Sequence, residues 1–212
     1  MHLDEDSLAL ISNNMQDSKK VGLGSGATIA RLISFLHDKR ILNKKAWYFP
    51  SSMQIAYTAM KYIENIAYPQ LAGQLDLTLD GADNVLDDKT FIKGGGGALL
   101  MEKILWSASK KIIVFVTEDK MTKPKTIDIP LEVHRNAALL VSSKLREKGY
   151  ACSIRQNEKG YPSITENGNL ILDVNSSPEN ITSVERYVSS MPGVMETGIF
   201  KFDNVSVIVV DR

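Results

Sequence analysis

The segment that most constrains the fold spans residues 75–103 and reads LDLTLDGADNVLDDKTFIKGGGGALLMEK. It begins with leucines that alternate with polar residues, a pattern typical of a half-buried strand, and Asp80 ends that pattern. Gly81 and Ala82 allow a tight turn, so Asp83 follows closely. Because open α/β sheets bind ligands at the carboxyl ends of their strands, we expect both carboxylates at a ligand site. Acidic groups there indicate contact with a hydroxylated, uncharged part of a ligand.

A run of four glycines, residues 94–97, follows Lys93 and leads directly into an apolar helical pattern. Bare backbone N–H groups at a helix start attract anionic oxygen. Glu102 lies about one turn into this helix, and helical side chains lean toward the N-terminus, so its carboxylate is expected to reach back over the glycines. Taken alone, Glu102 is better explained as an early-helix acid stabilised by the helix dipole, and Lys93 could be an ordinary surface lysine; only the combination of glycine loop, lysine and acids favours a catalytic site.

Composition excludes several classes of protein. Lys plus Arg and Asp plus Glu both number 25, so there is no general basic field, and we expect neither nucleic acid nor membrane as a partner. Cys152 is the only cysteine, which excludes an internal disulfide and a cysteine metal cluster and fits a reducing compartment. The N-terminus carries Asp4, Glu5 and Asp6 instead of a signal-peptide pattern, so a cytoplasmic protein is expected.

The order of elements predicts two kinds of sheet. Strands and helices alternate up to about Ile127, which predicts a Rossmann-like α/β fold with a mostly parallel sheet and helices on both faces. The pattern then becomes strand-helix-strand-strand-helix-strand, the ferredoxin-like order, closed by the single strand VMETGIF. Ser177 is expected to cap the second of these helices. We predict an α/β catalytic domain at 1–127 and 199–212, and a small α+β domain at 128–198 inserted before the last strand.

A second glycine motif, VGLGSGAT, lies at the first strand-to-helix junction. Gly22, Gly24 and Ala27 satisfy the dinucleotide pattern G-x-G-x-x-A, but that motif also needs an acidic residue after the second strand. The chain has Ser51 and Ser52 there. A glycine turn that feeds a helix binds any phosphate by the same backbone donors, so a phosphate site is favoured over a dinucleotide site.

Together, LDGAD, KGGGGALLMEK and VGLGSGAT resemble ribose-5-phosphate isomerase of the A type, and the resemblance continues through LEVHRNA, GNLILDV and MPGVMETGIF. Three motifs in the same order make the match specific. The resemblance implies an isomerase that interconverts D-ribose 5-phosphate and D-ribulose 5-phosphate through an enediolate, in the non-oxidative pentose phosphate pathway. It further implies no metal or organic cofactor, and a homodimer or homotetramer.

The resemblance also assigns roles to individual residues. Glu102 is the base that moves a proton between two carbons, Lys93 stabilises the oxyanion, Asp80 transfers protons at the ring and carbonyl oxygens, and Asp83 orients hydroxyls. The loop within VGLGSGAT, at the first strand-to-helix junction, and one lysine hold the phosphate. The full set of implied substrate-binding residues is Ser25, Gly26, Ala27, Thr28, Asp80, Gly81, Ala82, Asp83, Lys93, Gly94, Gly95, Gly96 and Lys120.

The chain departs from the family pattern near the phosphate. Ala27 stands where the family's loop usually has a second hydroxyl, Met101 where many members have arginine, and no lysine precedes Lys19. These differences predict weaker phosphate affinity and leave the assigned acids and Lys93 in place.

Two other functions remain open. One is a phosphosugar-sensing domain, which the sequence disfavours because a sensor has no need of Glu102. The other is a related sugar-phosphate deaminase or CoA transferase, against which the motif KGGGGALLMEK argues.

Overall fold

The structure, a computed structural model, describes residues 1–211; Arg212, the last residue of the predicted catalytic domain, lies outside the described residues. The helices of the described part are α1 Glu5–Asp17, α2 Ala27–Asp38, α3 Met53–Ala59, α4 Leu99–Ala108, α5 Ala138–Glu147 and α6 Ile181–Val188. The strands are β1 Lys20–Leu23, β2 Trp47–Pro50, β3 Leu77–Gly81, β4 Asn84–Val85, β5 Thr90–Ile92, β6 Ile112–Val116, β7 Ile127–Val133, β8 Ala151–Ile154, β9 Leu170–Ser176, β10 Val194–Thr197, β11 Ile199–Lys201 and β12 Val205–Val209.

Five strands form a parallel sheet in the order β12-β6-β3-β1-β2, with parallel pairing at each contact between neighbours. Strand β6, IIVFV, is buried along its whole length, as expected of an inner strand covered on both faces. The helix α2 buries Ile29, Leu32, Ile33 and Leu36, which are spaced to lie on one side. The prediction of a mostly parallel sheet flanked by helices is confirmed.

A second sheet is antiparallel and has the order β10-β7-β9-β8. Helix α5 follows β7 and α6 follows β9, so the chain runs strand-helix-strand-strand-helix-strand. Numbered within this unit, the strands lie in the order 4-1-3-2, the arrangement of a ferredoxin-like fold. Its core includes Leu131, Val141, Leu172 and Val184, all fully buried. The ferredoxin-like prediction is therefore confirmed.

The prediction that VMETGIF is one strand is wrong. The segment divides at Gly198 into β10, which pairs with β7, and β11, which pairs with β5 in a separate three-stranded sheet of order β11-β5-β4. The Gly198 N–H donates to the Pro130 carbonyl at 2.6 Å, and the Gly198 carbonyl accepts from the Lys93 N–H at 2.9 Å. A Cβ at Gly198 would lie 2.2 Å from the Lys93 carbonyl oxygen, so no other residue fits this crossing.

Side chains cap the starts of α1 and α3, whereas α2, α5 and α6 start without a side-chain cap. Asp4 caps α1 by accepting from the Ser7 N–H at 2.7 Å, and Ser52 caps α3 by accepting from the Ile55 N–H at 3.3 Å. Ser177 makes no such side-chain bond, because the chain first forms a 3₁₀ turn at Pro178–Asn180 and α6 begins only after it. The expected Ser177 cap is thereby corrected.

The chain forms two compact units. One comprises Met1–Ala82, Met101–Met121 and Phe202–Arg212 and contains the parallel sheet. The other comprises Asp83–Leu100 and Thr122–Lys201 and contains both antiparallel sheets. The domain limits proposed from the sequence remain a prediction, since compactness alone does not define a domain. In the described part of the chain, no helix has the length and apolar character needed to cross a membrane.

Candidate active site

Asp80 is a fully buried carboxylate at the end of β3, with 0% of its surface exposed. The Trp106 indole Nε1–H donates to its Oδ2 at 2.6 Å, and the Gly81 N–H donates to its Oδ1 at 2.7 Å. A Cβ at Gly24 would lie 1.7 Å from Asp80 Oδ1, so the glycine of the first motif makes room for this carboxylate. These contacts fix the orientation of Asp80 from both oxygens.

Glu102 lies four residues into α4 and is buried, with 4% of its surface exposed. Its Oε1 accepts from the Ser25 N–H at 3.1 Å, which links it to the glycine turn before α2. Trp106 lies four residues further along the same helix, hence on the same helical face as Glu102. One helix therefore supplies both a buried carboxylate and the indole that holds Asp80.

The turn before α2 presents backbone donors that already bind oxygen atoms. The Ser25 N–H bonds to Glu102, and the Gly26 N–H donates to Gln54 Oε1 at 3.2 Å. Ser25 Oγ lies 2.7 Å from Ser51 Oγ and donates to Ser52 Oγ at 2.6 Å. An N-terminal helix turn lined with N–H and hydroxyl donors is suited to a phosphate group.

Further implied site residues belong to the same compact unit as Asp80 and Glu102. Ala27 and Thr28 are the first residues of α2, and Ala82 follows β3 directly. Lys120 is half-buried in a 3₁₀ turn, Glu118–Met121, that comes soon after β6.

In the second unit, Lys93 directly follows β5 and is buried, with 3% of its surface exposed. Its Nζ lies 5.7 Å from the ring centroid of Phe200, within the range of a cation–π interaction. Its backbone N–H bonds to Gly198, as described for the crossing between β10 and β11. Lys93 is therefore an ordered, buried cation, and the alternative of a solvated surface lysine does not describe it.

The glycine loop packs against Asp83. The Gly95 N–H donates to Asp83 Oδ2 at 2.7 Å, and a Cβ at Gly95 would lie only 2.8 Å from Asp83 Oδ1. Gly94 and Gly97 have φ values of 110° and 78°, a backbone region that favours glycine. The Gly97 N–H returns to the Gly94 carbonyl at 3.0 Å, which closes the loop just before α4.

Arg155 contacts the same loop from its other side. Its Nη1 donates to the carbonyls of Gly94 at 2.6 Å and Gly95 at 3.0 Å. Its Nε donates to Asp173 Oδ2 at 2.8 Å, and its Nη2 pairs with Asp173 Oδ1.

Among the described residues, no group of three or more His, Cys, Asp or Glu side chains is arranged to hold a metal ion.

Comparison with known proteins identifies the family. The family model described as ribose 5-phosphate isomerase A (phosphoriboisomerase A) matches residues 47–212. Ribose-5-phosphate isomerase A of Borrelia hermsii is 33% identical over 210 residues, which cover 93% of this chain and 90% of the relative. This chain belongs to the ribose 5-phosphate isomerase A family. The family member from Methanococcus vannielii is 36% identical over 216 residues, 96% of this chain and 90% of its own length.

Solved structures agree with this assignment. Ribose 5-phosphate isomerase A of Methanocaldococcus jannaschii superposes with a TM-score of 0.81 at 31% identity, over 97% of this chain and 96% of that one. A D-ribose-5-phosphate isomerase in complex with phospho-erythronic acid gives a TM-score of 0.81 at 29% identity, over 99% and 96%. The sequence-based prediction of an enzyme of this isomerase family is confirmed.

Sequence reasoning missed several residues that bind the implied site residues directly or through one neighbouring side chain. Trp106 could have been found, because it lies four residues after Glu102 on a predicted helix. Arg155 and Asp173 carry no local signal, since Arg155 follows β8 and Asp173 lies in β9, both far along the chain from the glycine loop. Gln54, which accepts a hydrogen bond from the Gly26 N–H, comes two residues after Ser52, in the segment where a dinucleotide site would have an acid.

Proposed function

We propose that this member of the ribose 5-phosphate isomerase A family interconverts D-ribose 5-phosphate and D-ribulose 5-phosphate through an enediolate, as a step of the non-oxidative pentose phosphate pathway. The observation that carries the proposal is the pair of buried carboxylates, Asp80 and Glu102, each held in place by hydrogen-bond donors. A solved relative bound to phospho-erythronic acid supports a phosphorylated sugar as the ligand class.

In the proposed reaction, Glu102 removes the proton from carbon 2 of the open-chain aldose. The electron pair of that bond forms a double bond between carbons 1 and 2, and the carbonyl oxygen on carbon 1 becomes an oxyanion. Glu102 then returns the proton to carbon 1, while the hydroxyl proton of carbon 2 moves to the oxygen on carbon 1. No atom or electron is gained or lost, so the reaction needs a base, an oxyanion stabiliser and a group that transfers hydroxyl protons.

Lys93 is proposed to stabilise the oxyanion. Its burial supports this role, because a fixed positive charge shielded from water interacts more strongly with developing negative charge. Its backbone bond to Gly198 and the neighbouring Phe200 ring restrict where the ammonium can lie.

Asp80 is proposed to transfer protons at the ring and carbonyl oxygens, and so to open the cyclic sugar first. The donors on Trp106 and Gly81 help to fix this carboxylate. Asp83 is proposed to orient the sugar hydroxyls, and its bond to the Gly95 N–H supports a fixed position for this carboxylate.

The phosphate is proposed to bind at the start of α2, on Ser25, Gly26, Ala27 and Thr28, with Lys120 as a further charge. Their position at the start of α2 supports this, because backbone N–H groups at a helix N-terminus favour an anion. The bonds that the Ser25 and Gly26 N–H groups make to Glu102 and Gln54 would be exchanged for bonds to the phosphate. The remaining implied contacts are Gly81, the last residue of β3, Ala82, which follows it, and Gly94, Gly95 and Gly96, which follow β5 and Lys93.

The direct test mixes the purified protein with ribose 5-phosphate, without added metal or nucleotide, and follows formation of the ketose. We expect turnover by the natural sequence and a loss of about 10²–10⁴-fold in Glu102→Gln, the range typical of removing a general base. A folded protein that binds ribose 5-phosphate tightly but forms no ketose would contradict the proposal and favour the sensor.

The assembly and location of the enzyme are part of the same proposal. A homodimer or homotetramer follows from the family resemblance, and light scattering of the purified protein distinguishes the two from a monomer. A cytoplasmic location is supported by Cys152, which is a free thiol.

A further inference from the structure

We propose that Arg155, held by Asp173, is a positioning residue for the isomerisation: it orients two peptide groups of the glycine loop so that the Gly95 N–H holds Asp83 and the Gly96 N–H faces the substrate. The inference rests on the proposed function and adds two residues to it. Neither Arg155 nor Asp173 belongs to the residues that the family resemblance assigns, and both lie in the same compact unit as the loop.

Arg155 binds two neighbouring carbonyls of the glycine loop. The Gly94 and Gly95 carbonyls both accept from Nη1, at 2.6 Å and 3.0 Å. In extended backbone, successive carbonyls point in opposite directions. Here they converge on one nitrogen, so the loop adopts a conformation that needs an external donor to hold it.

The direction of the N–H groups follows from the direction of the carbonyls. The Gly94 carbonyl and the Gly95 N–H belong to one planar peptide group, in which the two point in opposite directions. The Gly95 N–H accordingly points away from Arg155 and bonds to Asp83 at 2.7 Å. By the same geometry the Gly96 N–H also points away from Arg155. Successive N–H groups that face the same side attract anionic oxygen; here the Gly95 N–H binds the Asp83 carboxylate, and the Gly96 N–H is the donor that we expect a substrate oxygen to use.

Asp173 fixes the guanidinium. The Nε and Nη2 atoms bond to the two oxygens of one carboxylate, which leaves Nη1 directed at the loop. This two-point pairing sets both the plane and the rotation of the guanidinium, which a lysine ammonium cannot reproduce. The side chains are largely buried, with 21% of Arg155 and 19% of Asp173 exposed, so water does not readily replace either partner.

The consequence for the reaction is kinetic. When the loop is held, the Gly96 N–H is ready to donate to an oxyanion, the Asp83 carboxylate stays aligned, and Lys93 begins from a fixed backbone. When Arg155 is lost, these groups must be organised in each turnover, which costs more in the transition state than in the bound substrate. Loss of the clamp should therefore lower kcat more than it raises KM.

The experiment compares Arg155→Lys, Asp173→Asn and Lys201→Met with the natural protein. Lys201→Met is the matched control, because it removes another ion pair of the same unit, Lys201 with Glu185. We expect kcat to fall about 10–100-fold in Arg155→Lys, and about tenfold in Asp173→Asn, with KM changed less than about threefold. Lys201→Met should stay within about twofold of the natural kcat.

Chemical rescue separates positioning from a general loss of stability. In Arg155→Ala, millimolar guanidinium should restore part of kcat, whereas sodium chloride at the same ionic strength should not. Values of kcat within threefold of the natural protein in both Arg155→Lys and Asp173→Asn would overturn the inference. The inference would also be overturned if the loss of kcat per degree of decrease in melting temperature were the same in Arg155→Lys, Asp173→Asn and Lys201→Met. An inactive natural protein would instead refute the proposed function.

Discussion

Trp106→Phe isolates one hydrogen bond to a buried acid. The substitution keeps an aromatic ring at the position but removes the Nε1–H that donates to Asp80 Oδ2 at 2.6 Å. The edge-on contact between Trp106 and Phe202, with ring centroids 5.3 Å apart, remains possible for a phenyl ring. The perturbation is therefore mainly the loss of one donor at Asp80.

The expected cost follows from burial. A hydrogen bond to a charged group contributes about 1.5–3 kcal/mol, and the upper half of that range applies because both side chains have 0% of their surface exposed. The smaller ring adds about 1 kcal/mol for the space it leaves. Together we expect a loss of about 3–4 kcal/mol in the free energy of unfolding. A mobile Asp80 carboxylate should also reduce kcat by about tenfold.

The assay is urea unfolding of Trp106→Phe together with steady-state kinetics on ribose 5-phosphate. Phe202→Leu is the matched control, because it removes the ring contact and keeps the bond to Asp80; we expect it to cost about 1 kcal/mol without a change in kcat. If Trp106→Phe loses less than about 1 kcal/mol and keeps the natural kcat, the indole does not hold Asp80 in the way the structure indicates.

Two further predictions concern stability. Gly95→Ala places a Cβ 2.8 Å from Asp83 Oδ1 and should lower the free energy of unfolding by about 1–3 kcal/mol. A Cβ at Gly96 meets nothing within 4 Å, so Gly96→Ala should unfold at nearly the natural temperature. Equal decreases in the melting temperature of the two variants would contradict close packing at Gly95. Asp76→Asn tests an ion pair: the Lys110 ammonium, with backbone N–H donors, holds the pKa of Asp76 below its usual range. Because the folded pKa is lowered, the stabilisation is present above the unfolded value of about 4 and is lost as pH falls through the folded pKa. Asp76→Asn should thus lower the free energy of unfolding by up to about 1 kcal/mol at neutral pH. Urea unfolding in acid should show a smaller difference between the variant and the natural protein. A difference that grows in acid would contradict the lowered pKa of Asp76.

The parallel sheet was predictable because its signals are local. Alternating leucines ending at Asp80, and a glycine turn before α2, specify a strand and a strand-helix junction within a few residues. The same holds for Glu102, whose place early in a helix follows from the glycine run before it. The relation between Glu102 and Trp106 was equally accessible, since it depends only on helical spacing.

The features that the sequence did not predict depend on pairings between segments that are distant in the chain. The strands β4 and β5 are two and three residues long, too short for a periodic signal, yet they place Asp83 and Lys93 in the unit with the antiparallel sheets. Gly198 interrupts an apolar pattern that reads as one strand, and only its close approach to Lys93 explains the break. The bond between Arg155 and the glycine loop joins residues about 60 positions apart, so no local pattern records it.

Isotope incorporation shows directly whether one carboxylate carries a proton between two carbons of the sugar. Ribose 5-phosphate is converted in D₂O by the natural protein and by Glu102→Gln, and deuterium bound to carbon 1 of the ketose is measured by mass spectrometry. An enediolate formed by Glu102 predicts carbon-bound deuterium with the natural protein, increasing over repeated turnovers, and none above background with the variant. Full turnover without any carbon-bound deuterium would contradict a proton that exchanges with solvent while Glu102 holds it, and undiminished incorporation in Glu102→Gln would assign the proton transfer to another group.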